Sequence, residues 1–437
     1  MDIFRDTWLP TDVGLMSPAV ALSQAHQICW PRSDWNAASL MLLQAMLQTA
    51  VVLGGHCGNR SAWHRHLYTT PHNLEQWFDC LGSGVSAWQC ASAEFEVEVA
   101  EVLPETPSRN SIKKSSDILY WQQNIPNALS VAEASIAIIS DQLWGVPSGR
   151  GYREGCRGRR PMTSLLMLNN SYVNIWKQIW LNVLPCDEWC ASYPTMHPFQ
   201  YPWVRQRYED SITPQNAHSL EVLWQMPRRW RIVVEDDGSV RRLMHQSHGF
   251  DYHGWSHPLS GYIAKSEQVW LPQRMEPYFS FKYWALLTTP IAERSRPPAA
   301  LTALTQLNNL NPMDLSMIQL RCFGWSLGDS DALGAWVDFV APVFFNVQPC
   351  VVQAAIDLAD STYERLALQL KLINSHFEMD ALQLYQRLDT EFYRRVKEGD
   401  WTDWSLVLRC VARLILWDKA GRNRRDVSRI SRGIAKL

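Results

Sequence analysis

Residues 352–377 read V-Q-A-A-I-D-L-A-D-S-T-Y-E-R-L-A-L-Q-L-K-L-I-N-S-H-F, and their apolar spacing decides the fold of the C-terminal part. Val352, Ile356, Ala359, Tyr363, Leu366, Leu370, Ile373 and Phe377 follow one another at 4-3-4-3 intervals. An α-helix turns once every 3.6 residues, so this spacing lays a single apolar seam along one long helix. Leu384, Leu388, Phe392 and Val396 predict a second helix, stopped by Gly399. Trp404, Val407, Val411 and Leu414 predict a third. A fourth, basic helix is expected over 426–436. Connections this short favour antiparallel neighbours, hence a bundle.

Upstream the pattern is mixed. A helix is predicted over 35–53, with Ser33 or Asp34 as N-cap, Gly54-Gly55 as stop, and Leu40, Leu43, Leu47 and Ala50 turned to a core. Another is expected over 73–81. Phe95, Val97 and Val99 alternate with Glu94, Glu96 and Glu98, the signature of a half-buried strand. Short strands are predicted over 220–224, 230–234 and 240–244, the last two joined by the turn residues Asp236-Asp237-Gly238. The expected fold is α+β: a large mixed α/β N-terminal body, residues 1–340, followed by a C-terminal four-helix bundle, residues 341–437.

Apolar residues make up 46% of the 437, which excludes wholesale disorder. The most apolar run, 37–53, is interrupted by Ser39, Gln44, Gln48 and Thr49, short of the roughly 18 residues of a membrane span. The N-terminus has no basic-then-apolar signal pattern, so a cytoplasmic protein with no membrane partner is expected. Ten scattered cysteines then read as free thiols. Tryptophan outnumbers phenylalanine, 22 to 13, and suggests large partner surfaces.

Residues 149–161, G-R-G-Y-R-E-G-C-R-G-R-R-P, carry the functional signal. Arg150, Arg153, Arg157, Arg159 and Arg160 share the segment with four glycines and one acid, Glu154, in a chain of net charge −2. Glycine lets a backbone approach a ligand closely, and guanidinium forks match phosphate oxygens. The segment reads as an ordered polyanion-binding loop, against the plainer reading of a solvated linker. It lacks the order of a Walker loop. Further basic clusters stand at Arg228-Arg229-Trp230-Arg231, Arg241-Arg242, Arg394-Arg395 and 422–436.

His245, His248, His253 and His257, with Asp251 among them, would suit a metal-dependent enzyme, the main rival reading. They do not form an H-E-x-x-H helix, and no nucleophile elbow or dinucleotide fingerprint is present. No catalytic residue, metal or cofactor is therefore expected. A third reading is an assembly scaffold without DNA contact.

The ordered set of short motifs resembles the CasA family, the large subunit of the type I-E CRISPR complex Cascade. It runs through D-T-W-L-P at 6–10, P-R-S-D at 31–34, G-C-R-G-R-R-P-M-T at 155–163, L-N-V-L at 181–184, L-W-Q-M-P at 223–227, W-S-H-P at 255–258 and F-G-W at 323–325. The resemblance implies a non-catalytic subunit that recognises the protospacer-adjacent motif in double-stranded DNA and helps open the duplex. It implies as partners the guide RNA, the small, backbone and 5′-end subunits, and a recruited helicase–nuclease or transposition machinery. It places a DNA-contacting glycine loop at Ser148, Gly149, Arg150 and Gly151, continued by Arg153, Arg157, Arg159 and Arg160. It puts minor-groove readers at Gln306, Asn308 and Asn309, and a loop meeting the guide end around Tyr120, Trp121, Gln122, Gln123 and Asn124. Three departures stand out: Arg150 interrupts a glycine run; no lysine stands where a family lysine approaches the motif, with Arg241, Arg242 or Gln246 as candidate substitutes; and the cysteine pair of some members before the W-S-H-P motif is missing.

Overall fold

A computed structural model of the chain describes residues 1–54, 87–89, 95–98, 127–145, 153–159, 161–194, 196–204, 211–246, 249–266, 269–276, 280–288, 294–306, 317–327, 333–345, 347–372 and 377–420. In chain order the elements are β1 (Leu9–Thr11), β2 (Gly14–Met16), α1 (Pro18–Gln24), α2 (Ser33–Gly54), β3 (Phe95–Glu98), α3 (Val131–Trp144), β4 (Thr163–Leu168), α4 (Ile175–Trp180) and α5 (Cys186–Ser192). There follow β5 (Ser211–Ile212), β6 (Arg229–Val233), β7 (Arg242–Gln246), β8 (Asp251–Tyr252), β9 (Tyr262–Ala264), β10 (Trp270–Pro272), α6 (Phe281–Thr288), β11 (Ser295–Arg296) and α7 (Ala299–Gln306). The chain then forms β12 (Ile318–Leu327), β13 (Leu333–Pro342), α8 (Pro349–Lys371), α9 (Phe377–Glu398) and α10 (Trp404–Ala420). It divides into two compact units. The first takes residues 1–261, 272–277 and 298–340, and the second residues 262–271, 278–297 and 341–437.

The first unit is organised around α2. By composition this helix is long and apolar enough to cross a membrane, yet nearly every residue from Asp34 to Thr49 is buried within the unit. The expected one-sided apolar face is therefore an all-round core surface. Its polar residues explain how that is tolerated, because a buried amide must find a partner. Gln44 Nε2 donates to the Asn182 carbonyl at 3.1 Å, and Gln48 Nε2 to the Leu184 carbonyl at 2.9 Å. Gln48 Oε1 in return accepts the Leu184 N–H at 2.7 Å. α3, α4 and α5 pack around α2.

Two antiparallel three-stranded sheets, β3-β7-β6 and β13-β12-β4, belong largely to this unit. β6 and β7 join through the expected turn, with Gly238 at φ +79°. The segment 220–224 is not a strand: Ser219–Leu223 forms a 3₁₀ turn capped by His218, whose Nδ1 accepts the Leu220 N–H at 3.0 Å. Leu220, Val222, Leu223 and Trp224 are buried here as they would be in a strand, and Glu221 is buried among them. The chain ahead of the Gly/Arg segment forms α3, opened by a capping box between Ser130 and Glu133.

Tryptophan fills these cores. Trp88, Trp203 and Trp224 cluster with centroids 5.1–5.9 Å apart, and the Trp224 indole N–H donates to Thr49 Oγ1 at 2.8 Å. Among the described tryptophans Trp417 is strongly exposed, so the expectation of broad tryptophan surfaces gives way to internal packing.

In the second unit α8, α9 and α10 pack together, and α6 joins them. Val352, Ile356, Ala359, Leu366 and Leu370 are buried as the seam requires, as are Leu384, Leu388 and Phe392. The third seam is misplaced by the sequence reading. Trp404, Leu408, Ala412, Ile415 and Leu416 are buried, whereas Leu414 is 56% exposed. α10 is apolar on two sides, and periodicity cannot choose between them. The expected helix at 426–436 and the one at 73–81 lie outside the described residues. Among those described, the fourth helix against α9 is α6: the Phe281 ring stacks on Phe392 at 4.2 Å.

Candidate nucleic-acid interface

The Gly/Arg segment leaves α3 and returns to β4, and both of its ends are tied down within the first unit. At the leaving end the Gly145 N–H donates to the Asp141 carbonyl at 2.8 Å. The Asp141 carboxylate is buried; it pairs with Arg228 and accepts the Trp230 indole N–H at 2.9 Å. Burial raises its pKa, and the Arg228 guanidinium opposes that rise. Gln142 brackets the same residue, donating to the Arg228 carbonyl at 2.9 Å and accepting its N–H at 3.2 Å.

At the returning end the Cys156 N–H donates to Gln225 Oε1 at 2.7 Å. A turn closes from the Gly158 N–H to the Gly155 carbonyl at 2.9 Å, with Gly158 at φ +68°. That left-handed conformation favours glycine. Arg157 then bridges the two ends. Its guanidinium donates to the Leu143 carbonyl in α3 at 3.0 Å and to Thr163 Oγ1 in β4, and lies over Trp144.

Arg157 was expected to meet DNA, and here the structure differs: the side chain is 1% exposed and committed to the core. The hydrogen bonds to Leu143 and Thr163 and the Trp144 ring offset part of the cost of burying this guanidinium. Arg153 pairs with Asp251, and Arg159 with Glu154 at 2.6 Å; both arginines are partly open to solvent. Ser148, Gly149, Arg150, Gly151 and Arg160 lie outside the described residues, as do Tyr120, Trp121, Gln122, Gln123 and Asn124. Gln306 is the last residue of α7, not part of a hairpin or loop, while Asn308 and Asn309 lie outside the described residues.

Among the described residues, Arg228, Arg241, Arg242, Arg394 and Arg395 of the other basic clusters are held by carboxylates, while the cluster at 422–436 lies outside them. The pleat of β6 divides Arg228-Arg229-Trp230-Arg231, sending Trp230 inward. Arg241 pairs with Asp237 at 2.5 Å, and Arg242 with Glu235 and Glu96. Arg394 and Arg395 both pair with Glu391.

The histidines go to separate environments. His245 is buried, its ring 4.6 Å from that of Trp230, and burial together with Arg228 and Arg229 lowers its pKa to about 4. His253 is exposed beside Asp251 at 3.2 Å. His257 is buried, accepts the Leu259 N–H at 3.2 Å, and is held well below the usual histidine pKa by burial and then by Arg157. His248 lies outside the described residues. No group of three or more metal-ligating side chains exists among those described. The seven described cysteines are free; burial pushes the Cys156 and Cys322 thiols up to about 12.

The sequence reading missed Asp141, Gln142 and Gln225, whose interest is purely spatial. Arg228 was visible only as one member of a basic cluster.

The profile of the family described as CRISPR-associated protein Cse1 matches residues 2–403. No curated protein matches the chain by sequence. Among solved structures, that of Thermus thermophilus CasA (Cse1) is similar over 100% of this chain and 98% of its own, with 17% identity and a TM-score of 0.73. Cse1 from Acidimicrobium ferrooxidans gives 16% identity and a TM-score of 0.68 over 100% and 98% of the two chains. A chain of a CRISPR RNA-guided surveillance complex gives 14% identity and 0.72, again over 100% and 98%. With a family match over almost its whole length, this chain belongs to the Cse1, or CasA, family, the large subunit of type I-E Cascade.

Proposed function

We propose that this chain is the subunit of an RNA-guided complex that recognises a short motif in the duplex beside the target, helps open that duplex and recruits the effector. The family is one of non-catalytic subunits, and the chain acts by binding. Base pairing with the guide reads the long sequence, which leaves the protein a short duplex tag. One observation carries the reading. The span holding Ser148, Gly149, Arg150 and Gly151 is anchored on both sides, by Asp141–Arg228 before it and by Cys156–Gln225 and Arg157 after it. A loop that must meet a groove reproducibly needs fixed ends.

In this reading Gln306, Asn308 and Asn309 supply amides to the minor groove, which offers mainly acceptors. Tyr120, Trp121, Gln122, Gln123 and Asn124 meet the end of the guide RNA. The bundle of residues 341–437 meets the small subunits, and residues 1–340 do the motif reading. Partners are the guide RNA, target DNA and the other subunits; a surveillance complex with such a subunit is known among the similar structures. The recruited effector is a helicase–nuclease or a transposition assembly.

The test is target binding by the assembled complex across a library of randomised flanking base pairs, wild type against Gln306→Ala/Asn308→Ala/Asn309→Ala. Each lost base contact is expected to cost about 1–3 kcal/mol at particular flanking positions only. The same flank preference in both proteins would remove these amides from the reading site.

A further inference from the structure

Two exposed arginines, Arg294 and Arg296, stand at the small sheet β10-β9-β11 of the second unit. Register places its side chains. β11 runs antiparallel to β9, with Arg296 opposite Tyr262 and Ser295 opposite Ile263. The Ala264 N–H donates to the Arg294 carbonyl at 2.9 Å, which extends the same register by one residue. On the other side the Lys265 N–H donates to the Val269 carbonyl at 2.8 Å, so Ala264 and Trp270 are neighbours. Side chains alternate along a strand, and Arg294, Arg296 and Trp270 therefore share one face. The contact agrees: the Arg296 guanidinium lies 3.8 Å from the centre of the Trp270 ring.

Arg294 and Arg296 are both exposed, and neither has an acidic partner among the described residues. The contrast is with Arg153, Arg159, Arg241, Arg242 and Arg394, each held by a carboxylate. Stacking on Trp270 fixes the plane of Arg296 and leaves its edge donors free to point outward, which lowers the entropy cost of binding an anion. Because the guanidinium covers that indole face, the face is closed to a nucleobase. The platform suits phosphate, not base stacking.

We infer that Arg294 and Arg296, braced by Trp270, form a second and sequence-independent contact to the phosphate backbone of duplex DNA. This rests on the reading that the chain binds duplex. Two cations two residues apart on one strand, about 6.8 Å, would each neutralise one phosphate.

The experiment measures binding of the full chain to a labelled random-sequence DNA duplex as salt is raised. Each phosphate contact contributes about 0.9 to the slope of log affinity against log salt, so Arg294→Ala/Arg296→Ala is expected to flatten it by about 1.8. Arg394→Ala, whose arginine is held on its own helix, should leave the slope unchanged. Arg294→Lys/Arg296→Lys keeps both charges and should retain the wild-type slope; a flattened slope there would show that folding, not charge, was lost, and would overturn the inference. So would a wild-type slope in the double alanine variant, or a change seen with single-stranded DNA or RNA but not with duplex. Flanking-base preference in the double alanine variant should stay that of the wild type, which separates this contact from the motif-reading site.

Discussion

The carboxylate of Asp389 in α9 accepts the backbone N–H of Phe281 at 2.9 Å, capping the first turn of α6. Burial lifts the Asp389 pKa to about 6, and the Phe281 hydrogen bond only partly opposes it. An acid whose pKa is higher folded than unfolded binds more protons in the native state between the two values. Stability therefore falls as pH rises from about 4 to 6, and the cost is complete above that. Asp389→Asn keeps the acceptor and removes the buried charge. It should stabilise the protein at pH 8 by on the order of 2 kcal/mol, and by little at pH 4. Melting curves at the two pH values check this; identical pH dependence in both proteins would refute it.

The seam of α8 makes a sharp contrast within one helix. Leu366 and Leu370 are fully buried, while Leu368 is 61% exposed. Leu366→Asp or Leu370→Asp should cost on the order of 3–5 kcal/mol through an unpaired buried charge. Leu368→Asp should stay within about 0.5 kcal/mol of wild type. Chemical denaturation of the three variants reads this directly, and a destabilised Leu368→Asp would mean the helix is rotated.

Arg157 should behave as a structural residue. Arg157→Ala removes the link between Leu143 and Thr163 and leaves their buried polar groups without it, a loss of about 3 kcal/mol or more. Arg153→Ala breaks a partly exposed pair with Asp251 and should cost under about 1 kcal/mol. Thermal melting separates the two, and equal melting temperatures would contradict the burial of Arg157.

Gly324 lies where β12 passes the end of the Gly/Arg segment. A Cβ there would stand 2.6 Å from the Pro161 carbonyl oxygen, which is backbone and cannot turn aside. Gly324→Ala should destabilise by about 1–3 kcal/mol through overpacking. Gly14→Ala meets open space and is strained only by its φ of +112°. A neutral Gly324→Ala, judged by denaturant midpoint, would show that the β4–β12 pair yields more easily than its register suggests.

The helices with one apolar stripe were legible, and so was the β6–β7 hairpin, because their signals are local. The seam of α8 repeats within a single segment, and Asp236-Asp237-Gly238 carries its own turn chemistry. α10 was harder: Leu408 and Leu414 are equally apolar, and only contact with α8 and α9 separates them. The site was legible as composition. Arginine and glycine identify a phosphate-suited segment, but not which arginine reaches solvent.

The sequence alone determined the chain's class, its long C-terminal helices and its family, since periodicity and motif order are properties of the linear chain. Only the tertiary structure decided that Arg157 is a core clip, that Asp141 and Gln225 hold the loop ends, that Phe281 packs on Phe392, and that Arg294 and Arg296 share a face with Trp270. The Asp141, Gln225 and Phe281 contacts join partners distant in sequence, and the Arg157 clip needs α3 and β4 to be brought together. The burial and pairing of a charge are set by which surfaces meet, and residue type does not encode that meeting.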